Sequence, residues 1–254
     1  MTLEEINGWL HPDEGALLYE FAKKLPGNSL IVEIGSFMGK STAYLASGLR
    51  DGHGGKVIAI DPHLGETGTK WKFSSTWEQF NKNIHELNLE TFVEPVRKTS
   101  EEAHKKWNRK IDLLNIDGLH DYKNVKLDLR LWLPHLKNGG VLVCHDAFGP
   151  TYPGVMKAII EELFSLADFG RIGVVGCSLF AVKMTPKTYW DKLNLLRSKF
   201  FIKLAWKIYV NSSMPIKNRN IIVNFILKPF ILNSISFPKM LTRYYENIIT
   251  FINK

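Results

Sequence analysis

Apolar runs of strand length alternate with stretches of helical periodicity along most of the chain. LIVEIG, KVIAID, FVEPV, IDLLNID and VLVCHD read as five strands, the third weakened by Pro95. Helices are expected from about Lys40 to Leu49, over TWEQFNKNIHEL, over SEEAHKKW with Ser100 as its cap, and over YKNVKLDLRLWLPHL. GVMKAIIEELFSL predicts a further helix, and IGVVG and LFAVKM two more strands joined only by GCS. So short a link cannot carry a crossover, so these two strands should form an antiparallel hairpin. Strands apolar on both faces belong in a parallel sheet covered by helices on each side. The pattern therefore predicts an α/β fold, a doubly wound and mostly parallel seven-stranded sheet with a C-terminal antiparallel hairpin. At the N-terminus, Thr2 and Glu5 have capping-box spacing and predict a short helix at once. Pro12 opens a second helix, which Pro26-Gly27 stops.

The alternation is complete by Met184, which divides the chain into an α/β domain at 1–184 and a basic, amphipathic helical extension at 185–254. In YWDKLNLLRSKFFIKLAWKIYV, Lys192, Lys199, Lys203 and Lys207 share one stripe, with Trp190, Phe201, Leu204 and Ile208 roughly opposite. IIVNFILKPFIL, interrupted by Asn224, Lys228 and Pro229, falls short of the ~20 apolar residues that span a bilayer.

Charge sharpens this division. The net charge of +8 resolves into +10 over 185–254 and −2 over the rest. A basic, aromatic extension suits in-plane contact with an anionic membrane surface. Packing across the domain, or a homodimer interface, suits it equally. Nucleic acid fits the charge but not the apolar share. An apolar content of 45% excludes a disordered chain. Cys144 and Cys177 lie in apolar runs and read as reduced core residues, and no signal peptide is evident. The expected location is cytoplasmic, at the membrane face if the extension binds lipid.

In doubly wound sheets the ligand lies beyond the carboxyl ends of the strands. Here those ends carry Glu33-Ile34-Gly35, Asp61, Asp117 and His145-Asp146. The stretch EIGSFMGKST after the first strand superficially suggests a phosphate loop. That loop needs glycine where Ile34 stands, and the carboxylate of Glu33 would repel a polyanion. A triphosphatase is thereby disfavoured, and a cationic nucleoside is preferred. Gly35 and Gly39 let the backbone pass close under a ligand, and Asp61 is placed to accept hydrogen bonds from both hydroxyls of a ribose.

These residues carry a resemblance. VEIGSFMGKST is similar to the first motif of class I S-adenosylmethionine-dependent methyltransferases, acid-x-Gly-x-x-x-Gly, and Asp61 matches their ribose-binding acid. LLNIDGLHDYKNVKLDLRLWLPHLKNGGVLVCHD resembles a bacterial subgroup related to sugar and natural-product O-methyltransferases, akin to the catechol type. The resemblance implies S-adenosylmethionine as cofactor, with Glu33, Gly35, Ser36, Phe37, Gly39, Ser41, Asp61, Ser100 and Asp117 around it. It implies methyl transfer to a hydroxyl of a small-molecule or glycan acceptor, lipid-linked if the extension touches a membrane. His120 and His145 are rival general bases, since histidine titrates near neutral pH. Related enzymes bind a divalent metal ion through positions matching Asp117 and Asp146. Histidine at position 145, where those enzymes carry an acid, leaves the metal open, because magnesium prefers oxygen ligands. A protein that keeps the cofactor pocket without transferring methyl groups is the alternative of a different class. Trp71 and Phe73, on the long loop HLGETGTKWKFSST, would stack on an acceptor or pack the loop down. His63 is read as a loop residue near the ligand, His53 and His104 as solvated surface.

Overall fold

The computed structural model describes residues 1–64, 75–164, 169–211 and 215–223. Its strands are β1 (Ser29–Ile34), β2 (Gly55–Ile60), β3 (Val93–Val96), β4 (Ile111–Ile116), β5 (Leu136–Cys144), β6 (Phe169–Val175) and β7 (Ser178–Lys183). They form one seven-stranded sheet in the order β3-β2-β1-β4-β5-β7-β6. β1 to β5 run parallel, and β7 is antiparallel to both β5 and β6. The expected hairpin is present, and its second strand is the one that joins the sheet. β3 is an edge strand, where Pro95 leaves no ladder partner without a donor.

The helices are α1 (Pro12–Lys23), α2 (Lys40–Asp51), α3 (Trp77–Glu86), α4 (Ser100–His104), α5 (Tyr122–Trp132), α6 (Pro153–Glu162), α7 (Tyr189–Asn211) and α8 (Ile216–Ile221). Because side chains alternate along a strand, β1 feeds two cores. Leu30, Val32 and Ile34 meet Leu129 and Trp132 of α5, Ile159 of α6 and Ile202 of α7. Ile31 faces the other way, toward Leu17 of α1, Leu45 of α2 and Phe80 of α3. The sheet is thus covered on both faces, and its strand ends are fixed relative to one another.

Four expectations are corrected. Thr2 N–H does donate to the Glu5 carboxylate, at 2.6 Å, but residues 1–10 form turns and no helix. One capping contact does not offset the cost of nucleating a helical turn. The cap of α4 is Thr99 rather than Ser100: Glu102 N–H donates to Thr99 Oγ1 at 3.3 Å and Thr99 N–H to Glu102 at 3.0 Å. Threonine three residues before a glutamate completes the reciprocal box, which Ser100, three residues before Ala103, cannot do. Cys177 lies in the turn between β6 and β7, half-buried, whereas Cys144 is a core residue; both are free thiols. His104 is half-buried against His135, their Nε2 atoms 3.0 Å apart, and edge-on to Trp132.

α7 packs on α6 and β6 and buries Ile202, Ala205 and Tyr209 in the same core as the sheet. Phe201, Leu204 and Ile208 pack against that core in part, while Trp190, 69% exposed, does not. Trp71, Phe73 and most of IIVNFILKPFIL lie outside the described residues.

Candidate active site

The carboxyl ends of β1, β2, β4 and β5 open onto a cleft of about 920 Å³. Gly35, Ser36, Phe37 and Ser41 line it from the β1–α2 turn, Asp61 from β2, Ser100 from α4, and Asp117, His120, His145 and Asp146 from the ends of β4 and β5. Glu33 and Gly39 are absent from the lining and act from beneath.

The β1–α2 turn owes its shape to two close approaches. Gly35 has φ 86°, and a Cβ there would lie 2.1 Å from the carbonyl oxygen of Asp117. Gly39, with φ 87°, starts α2, where a Cβ would stand 3.1 Å from the Phe80 ring. Asp61 then fixes the turn from the neighbouring strand. Its Oδ2 accepts from Ser36 N at 3.0 Å and Phe37 N at 2.9 Å, and its Oδ1 accepts from His63 N at 2.6 Å. The neighbouring Ser36 hydroxyl is buried without a hydrogen-bond partner. His63 itself is buried against Trp77 and Phe80, its Nδ1 2.9 Å from Thr76 Oγ1. Below the turn, Glu33 is wholly buried, accepting from the Thr42 hydroxyl and, at 3.1 Å, from Asn115 Nδ2. Burial pushes its carboxyl up to about 7, and nearby Asp117 adds to the rise.

Across the cleft floor, acids and histidines interleave. His120 Nε2 lies 3.2 Å from Asp117 Oδ1 and 3.3 Å from Asp146 Oδ2. His145 Nδ1 lies 3.1 Å from Asp117 Oδ1 and 3.5 Å from Asp146 Oδ2. Burial opposes a charge on either imidazole, but the facing carboxylates outweigh it and raise both histidines above their ordinary value. Burial would likewise raise the Asp117 carboxyl, yet His145 and His120 hold it below the usual range. Tyr152 stacks over His120, ring centroids 4.8 Å apart, and forms part of the cleft rim.

Sequence reasoning missed four cleft residues. Glu14, from the first turn of α1, reaches His145 Nε2 at 3.2 Å; its sequence signal was only that of an acid at a helix start. Asp128 is buried among the apolar positions of α5, where burial pushes its carboxyl up to about 6; an acid between Val125, Leu129 and Trp132 at helical spacing was a readable sign. Trp9, whose ring lies 5.3 Å from that of Phe37, and Tyr152 gave no signal beyond their aromaticity.

Residues 32–147, which hold the β1–α2 turn, Asp61 and the acid–histidine cluster, match the model of a methyltransferase domain. The match spans a little under half of the chain and makes that part similar to methyltransferase domains. Solved structures share the methyltransferase fold. An O-methyltransferase from Bacillus cereus in complex with S-adenosylhomocysteine is 20% identical, with TM-score 0.51, covering 71% of this chain and 86% of that one. The O-methyltransferase TomG from Streptomyces achromogenes, involved in tomaymycin synthesis and solved with S-adenosylmethionine, is 20% identical, with TM-score 0.51 and coverage of 67% and 79%. A TDP-rhamnose 3′-O-methyltransferase of calicheamicin biosynthesis is 17% identical, with TM-score 0.50 and coverage of 66% and 76%.

Proposed function

We propose that the protein moves the methyl group of S-adenosylmethionine to a hydroxyl oxygen of a small acceptor, a sugar or natural product. The observation that carries this reading is the pair of histidines set between Asp117 and Asp146 on the floor of the cofactor cleft. A sulfonium methyl is already activated. The protein therefore needs to align an oxygen nucleophile with it, accept the departing proton and exclude water. Asp61 holds the turn that cradles the cofactor and offers its carboxylate to the ribose. Without a metal, His120 is the base: it lines the cleft, and Tyr152 covers one face of its ring. His145 has Glu14 at one ring nitrogen and Asp117 at the other, which suits it to holding geometry.

Asp117, His120 and His145 also fit a divalent metal ion. Ligand atoms of Asp117, His120 and His145 lie within 4.8 Å of one another, and His145 Nδ1 is buried facing that group. Two imidazoles beside carboxylates favour a transition metal over magnesium. When bound, such an ion would polarise the acceptor hydroxyl and ease its deprotonation.

The acceptor class is supported by the neighbouring structures, one named for a sugar nucleotide and one for a natural-product pathway. A lipid-linked acceptor is supported by α7. Tyr189, Trp190, Leu193, Leu196 and Phe200 are exposed along it, with Lys192, Lys203 and Lys207 also exposed. Near the other end of α7, Trp206 Nε1 donates to Pro153 O at 3.3 Å, next to Tyr152 of the cleft rim. Basic and aromatic groups on one helix suit an anionic lipid surface. Among the described residues no helix is long and apolar enough to cross a membrane.

The test is product formation with S-adenosylmethionine and a panel of hydroxylated acceptors, sugar nucleotides included, read by mass spectrometry. His120→Ala should lower turnover roughly a hundredfold or more with little change in cofactor affinity. S-adenosylhomocysteine binding without transfer to any acceptor would favour the binding-protein alternative. Activity that survives exhaustive chelation would remove the metal.

A further inference from the structure

Glu14 is 2% exposed, and every contact of its carboxylate is to a group that donates or can donate. Oε1 accepts from Cys177 N at 2.7 Å, Ser178 N at 3.0 Å, Ser178 Oγ at 3.1 Å and Cys177 Sγ at 3.1 Å. Oε2 accepts from His11 N at 3.1 Å and lies 3.2 Å from His145 Nε2. Space is kept for this group: a Cβ on Gly176, whose φ is 58°, would stand 2.5 Å from Glu14 Oε1. A carboxylate held by that many donors is rigid, so whatever it touches on its remaining side is held as well. That side meets His145. The opposite nitrogen of the same ring, Nδ1, is buried and faces Asp117 Oδ1 at 3.1 Å and Asp146 Oδ2 at 3.5 Å.

We propose that Glu14 is a positioning residue that keeps the His145 proton on Nε2, leaving Nδ1 as a nitrogen ligand aimed at the group of Asp117, His120 and Asp146. The proposal rests on the metal reading given above. Histidines that bind metals commonly donate their other ring N–H to a carboxylate, which fixes the tautomer and strengthens the ligand. Capping of the β6–β7 turn accounts for Oε1 alone, since the backbone donors of Cys177 and Ser178 both go to that oxygen. Oε2 is placed by the α1 capping box, where it accepts from His11 N, and its contact with His145 is additional to both caps. A separate metal bound by Glu14, His145 and Cys177, whose ligand atoms also lie within 4.8 Å of one another, would have to compete with those backbone donors for Oε1.

Glu14→Gln separates the roles. The glutamine oxygen can still accept from the Cys177 and Ser178 amides, but its NH2 then faces His145 and also the His11 N–H, whose cap is lost. Nε2 must accept, the proton moves to Nδ1, and the ligand lone pair is lost. Titrating the full-length protein with Co²⁺ and following visible absorption should show Glu14→Gln binding 10–100-fold more weakly, a typical loss for such an outer partner. S-adenosylhomocysteine affinity should be unchanged. Ser178→Ala, which loosens only the turn, should leave Co²⁺ binding as in wild type. Nitrogen chemical shifts of His145 in the wild-type protein with Zn²⁺ should show Nε2 protonated and Nδ1 ligated; they decide the matter if Glu14→Gln fails to fold. Equal Co²⁺ affinity and spectrum in wild type and Glu14→Gln would overturn the proposal, as would ligation through Nε2. Wild-type protein that binds S-adenosylhomocysteine but no Co²⁺ overturns it while leaving methyl transfer standing. Failure to bind S-adenosylhomocysteine overturns methyl transfer itself.

Discussion

Gly35 and Asp117 are in van der Waals contact through their backbones, so that β1 and β4 leave no room for a side chain between them at the cleft floor. Gly35→Ala would force its Cβ to 2.1 Å from the Asp117 carbonyl oxygen, on a residue already at φ 86°. Strain and overlap together should cost on the order of 3 kcal/mol or more. In thermal denaturation that is a drop of roughly 6–12 °C for a domain of this size. A melting temperature within a degree of wild type would show that the turn can open without loss.

Asp61 gathers three backbone N–H groups, two from the β1–α2 turn. Asp61→Ala should weaken S-adenosylhomocysteine binding by about 1.5–3 kcal/mol, the range for hydrogen bonds to a charged group. Calorimetry reads this directly. An unchanged affinity would take Asp61 out of the cofactor site and leave it as a turn residue only.

Glu33 gives the fold a pH dependence of predictable sign. Its carboxyl is raised from the ordinary 4.5 to about 7 by burial. Between those values the folded chain holds a proton that the unfolded chain has released, so stability falls as pH rises through that window. The loss amounts to on the order of 3 kcal/mol. Glu33→Gln cannot ionise and should escape it. Denaturant melts near pH 5 and near pH 8 should show wild type losing more stability than the variant. Parallel losses would mean that Glu33 is ionised throughout.

α7 carries its exposed apolar residues beside lysines, with Trp190 69% and Phe200 60% exposed. If that face rests on lipid, the protein should sediment with anionic vesicles at low salt and less as salt rises. Lys203→Glu with Lys207→Glu should abolish the interaction without altering S-adenosylhomocysteine binding. Equal sedimentation with anionic and neutral vesicles would refute the lipid surface. Concentration-dependent association lost in the same variant would assign the face to a second copy of the chain.

The sheet was legible because its strands are nearly continuous apolar runs and its turns carry Gly or Pro. The acids at the strand ends were legible for the same reason, since topology alone says that the ends of β1, β2, β4 and β5 converge. What local pattern could not reveal was depth. Glu33 and Asp61 both end strands, yet Glu33 lies under the turn and Asp61 lies beside it, a distinction made by the alternation of side chains and by Thr42 and Asn115. Glu14 was hidden because its local sequence is satisfied by a helix start, while its main partners lie 131 to 164 residues away. Trp190 is in line with Ile208 on α7, opposite the lysines as read, yet at the helix start it is 69% exposed, because burial depends on what lies over each turn and not on the face alone.

Glu14 precedes the amide of Ser178, one of its anchors, by 164 residues. Until β7 has slotted between β5 and β6, the first turn of α1 carries a carboxylate without its donors and a place in the core it cannot yet occupy. Closing so long a loop is among the slower events in assembling a fold. The start of α1 is completed only when β7 is in place, and the histidine it touches is held from both sides only then.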